Sequence, residues 1–207
     1  MCGITGVYNY KTNQLISQET LNSMTLSLSH RGPDEAKTYS DNFISFGFTR
    51  LSIIDLETGS QPMFSNSGRY ILIFNGEIYN FLSLKKKLLS EGYKFKSSSD
   101  SEVILALYDL GYKNPETELE GMFAFALWDS KHQQLLLARD TMGIKPLCRT
   151  IVNDTLLFSS EFKALRAHED ASERAVHGRW LEIRGVSGSR ASCSDRRDQE
   201  ISCALHR

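Results

Sequence analysis

No stretch of the 207-residue chain approaches the roughly 18–20 consecutive apolar residues that a bilayer-spanning helix needs. A membrane is therefore not among the expected partners. The N-terminus has no basic segment followed by a long apolar one, so no secretory leader is expected either. Cysteine is scarce: Cys2, Cys148, Cys193 and Cys203 are scattered, and no CxxC occurs. Such thiols are expected to be reduced, and the expected location is the cytoplasm. A surplus of charge is missing as well. The net charge of −1 creates no field that would recruit nucleic acid or an anionic surface. His30, His132 and His168 show no metal-ligand spacing with Cys or carboxylates. There is no internal repeat and no glycine-rich phosphate loop.

Aromatics, lysine and proline run out near His168. Every Phe, Tyr, Lys and Pro lies before it; after it come arginines, serines and a single Trp180. That last stretch has no sustained period of 2 or 3.6 and too little apolar material for its own core. The expected organisation is one domain over residues 2–166. A polar tail over 167–207 follows, disordered or foreign to the fold, such as a frameshifted or fused end.

The rest is ordinary globular material, 41% hydrophobic and 24% charged, enough for a sizeable core. Residues 2–10 predict a first strand, and 18–29, with Leu21, Met24, Leu26 and Leu28, a helix. RGPDE at 31–35 is a loop. FISFGFTRLSII (43–54) and RYILIFNG (69–76) predict strands rich in Phe and Ile. FLSLKKKLLSEGY (81–93) and SDSEVILALYDLGY (99–112) predict helices, the second with a Ser/Asp cap, each stopped by a glycine. Residues 122–129, 134–140 and 155–161 predict strands, the first two joined as a hairpin. Strands, then helices, then strands point to an α+β layered domain and not to a parallel βαβ repeat.

Several residues carry chemistry. With Met1 removed, Cys2 would hold a free α-amine, pKa roughly 7.7–8.0, beside its own thiol. The amine could take the thiol proton without a separate histidine. Taken alone, Cys2 is equally a small buried residue at a strand start. Asn75-Gly76 ends an apolar strand and offers two adjacent neutral donors for an oxyanion; taken alone it is also a plain turn. Glu77 adds a carboxylate at the same place. Arg50 ends another strand and could clamp a carboxylate, or lie on the surface. Asp100 opens a helix and could be its cap or accept hydrogen bonds from an ammonium.

These residues fall inside eight ordered blocks: MCGITGV, HRGPDE (30–35), RLSIID (50–55), NGEIYN (75–80), SDSEVI (99–104), GMFAFALWD (121–129), RDTMGIKPL (139–147) and FSSEFKAL (158–165). The series resembles the glutaminase domain of glutamine-hydrolysing asparagine synthetases, a class II glutamine amidotransferase, over about residues 2–166. HRGPD distinguishes it from the glucosamine-6-phosphate and phosphoribosylamine relatives. The resemblance implies a four-layer αββα sandwich of the N-terminal nucleophile hydrolase type. It implies Cys2 as nucleophile after loss of Met1, with Asn75 and Gly76 as the oxyanion hole. Arg50 would bind the glutamine α-carboxylate, and Glu77 and Asp100 would lie near the α-amino group. Leu51, Ser52, Ile53 and Ile54 would line the same pocket through their backbone, and Arg31 to Pro33 would flank the nucleophile.

The implied reaction is hydrolysis of glutamine to glutamate and ammonia, with no metal or organic cofactor. ATP and magnesium belong to the family's synthetase domain, whose Ser-Gly-Gly-x-Asp-Ser loop is not found here; SGSR at 187–190 is not that loop. Cys148 and Arg149 also depart from the aromatics usual after KPL. Asparagine synthesis by this chain alone is therefore not expected. Two rivals stay open: a catalytically weak or inactive fragment or partner-binding subunit, and a stand-alone subunit that delivers ammonia to a separate synthetase.

Overall fold

The computed structural model describes residues 1–10, 16–51, 59–174, 181–182 and 201–205. The chain divides into two compact units, residues 1–51 with 145–183, and residues 52–144 with 184–207.

The first unit is built around β1 (Gly3–Asn9), every residue of which is buried. Small Gly3 and Gly6 and apolar Ile4, Val7 and Tyr8 suit a strand covered on both faces. β1 pairs antiparallel with β3 (Ile44–Arg50) on one side and with β9 (Thr155–Ser159) on the other. β2 (Glu35–Ser40) lies outside β3, and β8 (Cys148–Val152) outside β9. A short β10 (Leu181–Glu182) adds to β8 and completes the six-stranded sheet. α1 (Gln18–Leu26) begins at Ser17, whose hydroxyl accepts from the Thr20 amide, an ordinary N-cap. It packs on the face of Ser45, Gly47 and Thr49; the Thr49 hydroxyl donates to Leu28 O at 3.2 Å. α4 (Phe162–Arg166) and α5 (Glu169–Arg174) follow β9. Val7, Met24, Val152, Leu157, Leu165 and Ala171 belong to one apolar cluster.

The second unit centres on β5 (Tyr70–Ile78), β6 (Gly121–Asp129) and β7 (Gln134–Arg139), paired antiparallel in that order. A two-residue β4 (Met63–Phe64) pairs with β5 at one edge. At the other, β11 (Ile201–Leu205) runs parallel to β7. Helices α2 (Phe81–Ser90) and α3 (Glu102–Asp109) cover one face. There Leu72, Phe74, Phe123, Phe125 and Leu127 pack with Leu84, Leu88, Val103 and Leu107. Strand alternation puts Ile71, Ile73, Asn75 and Glu77 on the opposite face.

Among the described strands, β2, β4, β8, β10 and β11 were not foreseen. β2 is polar and half-exposed, so it lacks the apolar alternation that marks a strand. β8 joins β9 through Asn153 and Asp154, both at positive φ (49° and 62°), the backbone that a two-residue hairpin turn demands. The strand read over 43–54 ends at Arg50; residues 52–58 lie outside the described ones. So do 175–180, 183–200 and 206–207 of the segment read as a tail. Of that segment, His168 and Ala171 are buried. Cys193 lies outside the described residues, and SGSR with it; Cys203 falls in β11.

The β6–β7 hairpin is held by one carboxylate. Asp129 takes a two-pronged ion pair from Arg69 (Nε–Oδ1 2.8 Å) and a contact from His132 Nδ1 at 2.9 Å. Burial pushes this carboxyl up, but the Arg69 and His132 hydrogen bonds outweigh it and hold the pKa at about 2. Asp129→Ala is expected to lower the unfolding free energy in urea by about 2 kcal/mol. The folded pKa is depressed, so the stabilisation is present above the unfolded carboxyl's pKa and is lost as pH falls through about 2. The gap between wild type and variant should close over that window. A gap of constant size down to pH 2 would contradict the pairing.

Among the described residues no helix is long and apolar enough to cross a membrane.

Candidate active site

In the first unit the register of β1 sets the cluster. Gly3 pairs with Thr49, so one step further places Cys2 beside Arg50, off the ladder's end. Arg50 lies on the face of Phe46 and Phe48, turned away from α1. Across β2 it faces Glu35, with Nη1–Oε2 at 4.0 Å. The Cys2 thiol donates to Leu51 O at 3.7 Å. Burial pushes the Cys2 thiol up; the N-terminal ammonium, Arg50 and Arg31 pull it down without cancelling that rise. A neutral thiol in this setting needs a base before it can attack.

The loop Arg31–Asp34 is pressed on Arg50. Asp34 N donates to Arg50 O at 3.0 Å. A Cβ on Gly32 would lie 2.5 Å from Arg50 N and from Thr49 C, so only glycine permits this approach. It brings Arg31 to the nucleophile candidate: its Nε donates to the Cys2 carbonyl at 3.0 Å and its Nη1 to Glu161 Oε1 at 2.8 Å.

In the second unit Asn75 and Gly76 sit within β5, paired with Ala124 and Phe123 of β6. They are strand residues, not a turn. Asn75 is 2% exposed, and its Nδ2 has no hydrogen-bond partner among the described residues. A buried amide donor left idle costs about 1–3 kcal/mol, and such exceptions call for an explanation. A Cβ on Gly76 would strike Met122 O and the Phe123 backbone, which fixes glycine beside Asn75.

Asp100 is buried and its Oδ2 accepts from Ile78 N at 2.8 Å. The side chain thus reaches across to β5 near Glu77; α3 starts after Ser101 with no side-chain cap hydrogen bond, so the Ser/Asp cap read from the sequence is not formed. Burial raises its carboxyl above the usual range and the Glu77 charge adds to this, against the pull of the Ile78 and Ser101 amides. A cation arriving here would favour its charged form. The structure therefore groups Cys2, Arg31, Arg50 and Leu51 in one unit and Asn75, Gly76, Glu77 and Asp100 in the other. Ser52, Ile53 and Ile54 lie outside the described residues.

Supporting residues escaped the sequence reading. Gln61 is buried, and its Oε1 accepts from Phe74 N at 2.6 Å. Met63 pairs with Leu72, so residue 61 falls opposite 74, and the Gln61 side chain continues the edge where β4 has ended. Glu102 accepts from the amides of Lys96 and Ser97, both at 2.8 Å, and so pins the loop that carries Asp100. No group of three or more His, Cys, Asp or Glu among the described residues could hold a metal ion.

Solved structures show the fold. The chain matches glutamine phosphoribosylpyrophosphate amidotransferase from B. subtilis, complexed with ADP and GMP, at a TM-score of 0.68 and 22% identity. The match covers 88% of this chain and 45% of that one. The fold is thus that of this amidotransferase, an α+β fold. Residues 1–183 match the model of the glutamine amidotransferase domain, and the chain belongs to that family. It is 40% identical over 192 residues to asparagine synthetase [glutamine-hydrolyzing] 3 of Bacillus subtilis (strain 168), covering 92% of this chain and 31% of that protein. It is 39% identical over 168 residues to asparagine synthetase B [glutamine-hydrolyzing] of Escherichia coli (strain K12), covering 80% and 30%. The chain spans about a third of the length of these curated relatives.

Proposed function

We propose that this glutamine amidotransferase domain releases ammonia from glutamine through a thioester on Cys2. The supporting observation is the idle, buried amide of Asn75 beside Gly76, a donor pair with no structural use for its Nδ2. Removal of Met1 places an α-amine on Cys2 itself. That amine takes the thiol proton, and the thiolate attacks the carboxamide carbon. Asn75 and Gly76 donate to the resulting oxyanion. The tetrahedral intermediate collapses, the proton goes to the leaving nitrogen, and ammonia departs. Water then cleaves the thioester to glutamate and regenerates the thiol.

Arg50 holds the substrate α-carboxylate, while Glu77 and Asp100 hold the α-ammonium. Asp100, whose charge is disfavoured by burial, is suited to a cationic partner. Leu51, next to Arg50, lines the site on this reading. No metal or organic cofactor is assigned to the step; ATP and magnesium are needed only where the ammonia is used. That use, on the pattern of the asparagine synthetases, is amidation of aspartate by a synthetase domain or subunit, in the cytoplasm.

Arg50→Ala is expected to raise KM for glutamine by about 10–100-fold, the worth of one charge-assisted contact, with a smaller effect on kcat. Steady-state kinetics with glutamine and with a decarboxylated analogue check it. Equal sensitivity of both substrates to the substitution would remove Arg50 from carboxylate recognition.

A further inference from the structure

We infer that Glu161 is a positioning residue for glutamine hydrolysis: its carboxylate holds the Arg31 guanidinium against the carbonyl of Cys2 and so aims the nucleophile. The inference rests on the Cys2 reading above and adds a residue to it.

Cys2 stands one residue before β1, whose ladder begins at Gly3. A terminal residue without ladder bonds frays unless something ties it down. The Arg31 Nε bond to Cys2 O at 3.0 Å is such a tie. Arg31 is itself seated by its amide, which donates to Leu28 O at 2.9 Å. Its side chain is only 8% exposed, and Nη1 meets Glu161 Oε1 at 2.8 Å. Nη2 is buried with no hydrogen-bond partner among the described residues. Two contacts thus fix a planar group in one orientation.

Glu161 can act as a fixed point because its backbone is anchored. It follows β9, which pairs directly with β1. Ser160 N donates to Ile4 O at 2.8 Å, Ile4 N to the Ser160 hydroxyl at 3.1 Å, and Glu161 N to the Ser159 hydroxyl at 3.3 Å. β1, β9, Glu161, Arg31 and Cys2 therefore close a ring. Glu161 Oε1 also receives His30 Nε2 at 3.0 Å, and Oε2 lies 3.5 Å from Lys163 Nζ. Arg31 and His30 hold its carboxyl below the usual range, against burial, so the acceptor is charged. Without it, Arg31 keeps one neutral partner and turns toward solvent, and Cys2 loses its anchor. Misplacement of a reacting group by an ångström costs about 10²-fold in rate.

The test uses the full chain with Glu161→Gln, Glu161→Ala, Arg31→Ala, the Arg31→Ala/Glu161→Ala double variant and Cys2→Ala. Glutamine hydrolysis and thermal melting are read for each. Glu161→Ala is expected to lower kcat by about 10–100-fold, with KM changed less than about threefold. Glu161→Gln, which keeps a neutral acceptor, should lose about half of that effect on a logarithmic scale. The double variant should be no slower than Arg31→Ala alone, since both act through one path. Unchanged kcat in both Glu161 variants, or additive losses in the double, overturns the inference while Cys2→Ala remains inactive. Should Glu161→Ala fail to fold, the Gln variant decides alone. A Cys2→Ala chain that still releases ammonia defeats the underlying reading instead.

Discussion

Cys2→Ala is expected to abolish ammonia release from glutamine, a loss of roughly 10³–10⁶-fold as when other enzymes lose their nucleophile. The fold should survive, because Cys2 precedes the first strand and its thiol makes one long contact, to Leu51 O at 3.7 Å. Cys2→Ser separates two roles of the residue. It keeps the α-amine and a hydroxyl of similar size, but a serine hydroxyl is far harder to ionise than a thiol. Activity should therefore stay near the Ala level. Chains that keep Met1 should be equally inactive, since the amine is then a residue away and the thiol, which burial keeps protonated, has lost its base. The pH profile follows: kcat/KM should rise as the α-amine of processed Cys2 loses its proton, toward pH 8 by the usual value for that group. A profile flat from pH 6 to 9 would remove the amine as base.

Asn75→Ala should cost about 10²–10³-fold in kcat with little change in KM, the signature of a donor that acts only on the oxyanion. The same substitution gives an unusual stability result. Most buried polar side chains are bonded, so their removal destabilises. The Asn75 Nδ2 has no such bond; deleting it relieves a desolvated donor and leaves melting unchanged or slightly higher. Opposite movement of rate and stability is hard to obtain from a merely structural residue. If Asn75→Ala melts markedly lower and loses activity only in proportion, the amide is part of the scaffold and the oxyanion assignment is wrong. Gly76→Ala is a poorer probe: its Cβ would collide with the β6 backbone and disturb the strand itself.

Much of the fold could be read because long apolar segments announce themselves. β1, β5, β6 and α3 are mostly buried, and their residues show it. β2 and β8 could not be read so easily, because their strand state comes from pairing with neighbours, not from their own pattern. The candidate residues lie within motifs the sequence displays, and the close approach of Gly32 to Arg50 shows why glycine follows Arg31. What linear spacing hid was support from far along the chain. Glu161 lies 130 residues from Arg31, and nothing local to FSSEFKAL marks that carboxylate as a partner of the N-terminus. Gln61 fell between the segments read as strands, and its work is done by a side chain standing in for a strand. Asp100 fitted a helix cap by position, yet its carboxylate turns to Ile78, a choice made by tertiary contact.

The central measurement is the mass of the N-terminal peptide after the chain has reacted with an electrophilic glutamine analogue. The prediction is a peptide beginning at Cys2, without Met1, that carries one analogue on its sulfur, with labelling blocked by glutamine and ammonia release lost in step. An active chain that retains Met1, or a label lodged on Cys148 or elsewhere while Cys2 stays unmodified, would contradict it.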